Sequence, residues 1–99
     1  MEIQTSNVFR KWLEGLKDSS GRDAIARRID MLAESGHFGD HRHIIGAIFE
    51  LRIHTGPGYR LYVAKEGGAL VILLCGGDKS TQQKDIIKAQ KILEEWPCK

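Results

Sequence analysis

The chemistry this sequence can offer lies between Arg52 and Lys79, in the side chains of Arg52, His54, Arg60 and Lys79. Two guanidiniums suit a phosphodiester. Each can hold non-bridging oxygens bidentately and stabilise the extra negative charge of a pentacovalent transition state. Lys79 adds a third cation one residue past a strand. If the nucleophile is the 2'-hydroxyl of RNA itself, such a cluster needs no metal and no cofactor. An imidazole such as His54 is the side chain best suited to trade protons near neutral pH. Tyr59 and Tyr62 offer rings on which bases can stack, and Asp78 is a polar neighbour of Lys79 for the same ligand. Each residue also has an ordinary reading: solvated arginines on a sheet, tyrosines of a core, a histidine facing water.

The elements that would carry these groups are legible from periodicity. From Ala47, Phe49, Leu51 and Ile53 alternate with Glu50, Arg52 and His54, the two-residue repeat of a half-buried strand. Thr55-Gly56-Pro57-Gly58 reverses the chain. Tyr59 to Ala64 returns with Tyr59, Leu61 and Val63 on one face and Arg60 and Tyr62 on the other. After a turn at Glu66-Gly67-Gly68, Ala69 to Cys75 is an apolar run suited to a central strand covered on both sides. Gly76-Gly77 is expected to end that strand and let the backbone bend. Adjacent antiparallel strands set side chains about 5 Å apart, so Arg52 and Arg60 can converge on one anion.

Helices flank this meander. Phe9, Trp12, Leu13 and Leu16 mark an amphipathic helix over residues 6 to 18, and Ile25, Ile29 and Leu32 mark a second ending near Gly36. Ile86, Ala89, Leu93 and Trp96 share a face of a third, capped by Asp78, Ser80 or Thr81 and stopped by Pro97. Glu2 to Gln4 can form a short strand. Gly36 to His43 has two glycines, three histidines and no periodicity, which predicts a loop. The expected domain is α+β, of order (β)ααβββα, a small antiparallel sheet with its helices on one face. The other face is expected to be partly open, with Arg52, His54, Arg60 and Tyr62 pointing to it.

Bulk properties exclude much else. Ninety-nine residues, 41% of them hydrophobic, make one domain, 1–99. The longest apolar run, Ala69 to Cys75, is far below the roughly 20 residues of a membrane-spanning helix. The N-terminus carries no secretory pattern, so the expected location is cytoplasmic, away from any membrane. His37, His41 and His43 match no zinc spacing, and Cys75 and Cys98 form no CxxC pair, so no metal is expected. The net charge of +2 is too small to diagnose a nucleic-acid binder. Its distribution is more telling: His41 to Arg60 holds Arg42, Arg52, Arg60 and three histidines against one acid, Glu50.

Taken together, Phe38-Gly39-Asp40, Glu50-Leu51-Arg52, Gly56-Pro57-Gly58-Tyr59-Arg60-Leu61-Tyr62 and Leu73-Leu74-Cys75-Gly76-Gly77-Asp78-Lys79-Ser80-Thr81-Gln82, with Asp85-Ile86 and Ala89, resemble the addiction-module killer proteins, HigB-like members of the RelE/ParE toxin superfamily. The likeness spans nearly the whole chain and implies a RelE-like fold. It implies the toxin of a type II toxin-antitoxin pair, neutralised by a helix-turn-helix antitoxin, with operator DNA bound only through that complex. It further implies an mRNA interferase, an endoribonuclease that cuts messenger RNA on the ribosome through the 2'-hydroxyl. By that resemblance Arg60 grips the scissile phosphate, Lys79 stabilises the transition state or protonates the leaving oxygen, and Arg52 matches a basic residue of the preceding strand.

One position departs from the RelE pattern. A tyrosine thought to act as general base stands six residues after the basic position in RelE, and Asp85 stands there here. His54, Asp78 and Tyr62 are left as candidates. The ParE branch poisons DNA gyrase without nuclease residues, so a non-catalytic gyrase-binding toxin, or an inactive chain that only binds its antitoxin, shares the same fold.

Overall fold

The computed structural model describes residues 1–96. Pro97, expected to stop the last helix, and Cys98 lie outside them. The order is β1 (Glu2–Thr5), α1 (Asn7–Gly15), α2 (Ser19–Ser35), β2 (His41–Ile45), β3 (Ile48–Ile53), β4 (Tyr59–Glu66), β5 (Leu70–Asp78), a 3-10 turn (Lys79–Thr81) and α3 (Gln82–Glu94). The strands form one five-stranded sheet in the order β1-β5-β4-β3-β2.

The α+β class stands, and several expectations are corrected. The sheet is mixed, because β1 runs parallel to β5 while the other pairs are antiparallel. The end of the stretch expected as a loop, His41 to His43, is instead the start of β2, paired as His41 with Leu51, Arg42 with Glu50 and His43 with Phe49. It escapes periodicity because it is an edge strand, exposed at four of its five positions. The helices lie on both faces. On one side α1 and α2 bury Phe9, Ile25 and Leu32 against Leu51, Leu61, Val63, Val71 and Leu73. On the other, α3 sets Ala89, Ile86, Ile92 and Leu93 against Ile48, Tyr62, Ala64, Ile72 and Leu74. A strand as apolar as β5 requires this, since an uncovered face would leave about 25 cal/mol per Å² of apolar surface in water.

Helix α1 is shorter than its apolar spacing suggests, with its C-cap at Leu16. Its start is tied to the sheet. Ser6 Oγ accepts from the Phe9 backbone N–H at 3.0 Å and donates to the Leu74 carbonyl at 2.6 Å. Leu74 is the extra residue of a bulge, skipped between the pairs Tyr62–Cys75 and Val63–Leu73, so Leu74 and Cys75 both join the core beneath α3.

Gly76 and Gly77 continue β5 instead of ending it. Their lack of side chains serves close approach. A Cβ at Gly76 would overlap the Trp12 ring, and one at Gly77 would overlap the Asp85 carboxylate and the Thr81 hydroxyl. The end of β5 is thereby clasped between α1 and the start of α3.

Candidate functional site

Strand register brings the expected cations together. Arg52 is the cross-strand partner of Arg60, and Arg60 is the partner of Gly77, so the row crosses β3, β4 and β5. Lys79 follows two residues later in the 3-10 turn, exposed. Its stem runs past the β3–β4 turn: a Cβ at Gly58 would come within 3.2 Å of Lys79 Cε. Arg52, Arg60 and Gly77 share the α3 side of the sheet with Glu50 and Tyr62, as alternation requires.

Arg60 is held, not solvated. Its side chain is 12% exposed, and Nη1 donates to Glu50 Oε1 at 3.2 Å. Glu50 itself is fully buried. It also accepts from the Tyr62 hydroxyl at 3.1 Å and from Gln82 Nε2 at 2.8 Å, and lies 3.5 Å from Arg42 Nε. One carboxylate therefore joins β2, β4 and the first turn of α3 around the phosphate-gripping candidate. A buried charge is tolerated only with such compensation, and a guanidinium spends only part of its five-donor fork on it.

A second carboxylate organises the neighbouring edge. Asp40 accepts from Arg52 Nη2 at 2.9 Å and from His54 Nε2 at 2.5 Å. The His54 hydrogen bond, then Arg52, holds the Asp40 carboxyl below the usual aspartate range. Asp40 is placed from behind by Arg28 of α2. Nη1 of Arg28 donates to the Phe38 and Asp40 carbonyls, both at 3.2 Å, and Nη2 donates to the Arg52 carbonyl at 2.9 Å. Gly39, at φ +69°, permits that approach: a Cβ there would meet the Arg28 guanidinium carbon at 2.9 Å.

Residues 11–94 match the family described as "Phage derived protein Gp49-like (DUF891)". The chain belongs to the Gp49-like family. This family is associated with RelE-like toxin proteins. A Haemophilus influenzae protein, described only as uncharacterized, is 47% identical over 95 residues, covering 96% of this chain and 95% of that one.

The structure of this Gp49-like protein redistributes the other candidates. Tyr62 is fully buried and Tyr59 is 5% exposed, so neither ring lies open as a stacking platform. Burial first, then the Glu50 charge, pushes the Tyr62 hydroxyl far above its ordinary range, which keeps it protonated and removes it as a base. Tyr59 faces the other side of the sheet and donates to Asp18 Oδ2 at 2.8 Å. Asp78 caps the turn that carries Lys79, with Oδ1 accepting from the Ser80 backbone N–H at 2.8 Å and Oγ at 2.6 Å. Asp85 is buried over Gly77 and accepts from Thr81 Oγ1 at 2.6 Å. Burial pushes the Cys75 thiol up to about 12, which makes it a core group and no nucleophile. His41 Nδ1 and His43 Nε2 each lie 2.7 Å from a backbone carbonyl, of Gly39 and Gly46.

Asp40, Arg28, Gln82 and the burial of Glu50 are invisible to periodicity. Glu50 left a trace in the charge pattern, as the one acid in a basic stretch and in phase with Arg52, and Asp40 and Gln82 stand out only as members of the motifs that carry the family resemblance.

The Asp18–Tyr59 link makes a prediction about acid. Asp18 is held below the usual aspartate range first by the Gly21 backbone N–H and then by the Tyr59 hydroxyl. With its folded pKa depressed, the unfolded chain takes up the proton first. The contribution is full above the unfolded value of about 3.9 and is lost as pH falls through the folded one. Urea midpoints from about pH 6 down to about pH 3 should fall less steeply in Asp18→Asn than in wild type, since asparagine keeps the helix cap without titrating.

Proposed function

We propose that this Gp49-like protein is the toxin of a type II toxin-antitoxin pair and a ribosome-dependent mRNA endoribonuclease. The observation that carries this reading is the cationic row itself. Arg52 and Arg60 are direct register partners, Lys79 stands just past the third strand of the row, and Arg60 is braced by a buried carboxylate. Preorganised guanidiniums are what a phosphodiester transition state needs, because fixed donors stabilise developing charge without reorganising. Arg60 grips the scissile phosphate, Arg52 assists, and Lys79 stabilises the charge that builds on the leaving oxygen. The 2'-hydroxyl of the RNA is the nucleophile, and the protein supplies charge and position. Hollows of about 450 Å³ beside Ile87, Gln90 and Lys91 and about 400 Å³ between Asn7, Ile92 and Trp96 lie away from this row. A site spread along a sheet end suits a polymer better than an enclosed small molecule.

An antitoxin protein is the expected neutralising partner, and the cytoplasm, where ribosomes translate, the expected location. Mapping RNA 5' ends after brief induction of the chain checks the activity. New ends inside translated frames are the expected result. Intact messages accompanied by DNA-damage signalling would move the reading to a gyrase-binding toxin, and unimpaired growth to a chain that only binds its antitoxin.

A further inference from the structure

The nuclease reading leaves the proton-transfer partner open, and this inference rests on that reading. Tyr62 is sealed in the core, Asp78 is committed to its cap, and Asp85 is buried on Thr81. His54 is different. It lies just past β3, two residues beyond Arg52, which along a strand is about 7 Å. Its side chain is 67% exposed, and its Nε2 points at Asp40. An ionised carboxylate can only accept, so the hydrogen of a neutral His54 sits on Nε2 and the lone pair on Nδ1. Among the described residues no hydrogen bond occupies Nδ1.

We infer that Asp40 is a positioning residue that fixes the tautomer and direction of His54, and that His54 Nδ1 is the general base for the 2'-hydroxyl. The arrangement has the marks of construction. A lone exposed His–Asp pair is worth little and wanders. This one is braced three ways: Arg28 pins the carbonyls of Phe38, Asp40 and Arg52, Gly39 gives the guanidinium room, and Arg52 takes the second carboxylate oxygen. Because Arg52 shares Asp40 with His54, the base is indexed to the phosphate-binding row. In the reaction His54 Nδ1 takes the 2'-hydroxyl proton as the 2'-oxygen forms its bond to phosphorus. The bond from phosphorus to the 5'-oxygen breaks, that oxygen, beside Lys79, takes its proton from water, and the hydroxide so formed takes the proton back from His54, which restores the neutral imidazole. The products are a 2',3'-cyclic phosphate and a 5'-hydroxyl. Asp40 stabilises the imidazolium formed in between.

The test is a double-mutant cycle with Asp40→Asn, His54→Ala and the pair, each confirmed folded, reading single-turnover cleavage of a defined mRNA in a purified translation system. His54→Ala should lower the cleavage rate about 100-fold and Asp40→Asn at least about 10-fold. Saturation with ribosomes should be little changed in either. The double variant should be no slower than His54→Ala alone, because Asp40 acts through the imidazole. Two results overturn the inference alone: a His54→Ala chain as fast as wild type, or an Asp40→Asn effect undiminished in the His54→Ala background, which would place Asp40's role in Arg52 or in the fold. A wild-type chain that cleaves nothing in this system overturns the nuclease reading and this inference with it.

Discussion

Arg60→Ala is expected to remove RNA cleavage, with a loss of at least about 100-fold, the scale set by deleting one preorganised donor to a transition-state charge. The structure adds that this substitution is not silent for the fold. Arg60 is a counter-charge of the fully buried Glu50, so an alanine leaves that carboxylate with Arg42 at 3.5 Å and two neutral donors. Lost toxicity in Arg60→Ala alone would therefore mix two causes. Arg60→Lys separates them. A lysine keeps the charge near Glu50 but loses the planar fork that binds a phosphate bidentately. The expected result is a melting temperature near that of wild type together with cleavage reduced by more than about tenfold. A folded Arg60→Lys or Arg60→Ala chain that cuts RNA at the wild-type rate would remove Arg60 from the site.

Glu50→Ala is expected to be the most destabilising single change in the site, by about 3–5 kcal/mol. The carboxylate is fully buried and serves Arg60, Arg42, Tyr62 and Gln82 at once. Its removal leaves a buried tyrosine hydroxyl without its acceptor and a guanidinium that is mostly enclosed without its nearest counter-charge. For a domain of this length the loss corresponds to a fall in melting temperature of more than about 10 °C. Glu50→Gln should cost less, since an amide oxygen still accepts one hydrogen bond. Tyr62→Phe in the Glu50→Ala background should then recover part of the loss, because it deletes the orphaned hydroxyl. Equilibrium urea unfolding of the four chains measures all of this, and a Glu50→Ala midpoint equal to wild type would show the network to be energetically idle.

These expectations depend on contacts that the sequence encodes only indirectly. Alternation was enough to put Arg52, Arg60 and Tyr62 on one face, because a strand's side-chain period is two, whereas His54 lies just past the end of β3. It could not say that the far end of that face lies under α3, and so it offered Tyr62 to solvent when the ring is buried. The apolar run of β5 already required cover on both sides. Which helix supplies the second cover depends on where the 3-10 turn at Lys79–Thr81 sends the chain after β5. The edge strand β2 was missed because four of its five residues face water.

By itself, then, the sequence determined the α+β class, the meander from β3 to β5, the amphipathic helices and the placement of Arg60 and Lys79 at a common edge. All of these follow from local periodicity, turn chemistry and a recognisable motif. Tertiary structure alone decided which charges are spent inside the protein and which face outward. Glu50 turned inward to brace Arg60, and Asp40, brought over by Arg28 from 12 positions earlier in the chain, came to hold Arg52 and His54. The physical reason is that a charged residue's role is set by its desolvation and its partners. Both arise only when distant segments pack, and neither leaves a period in the sequence.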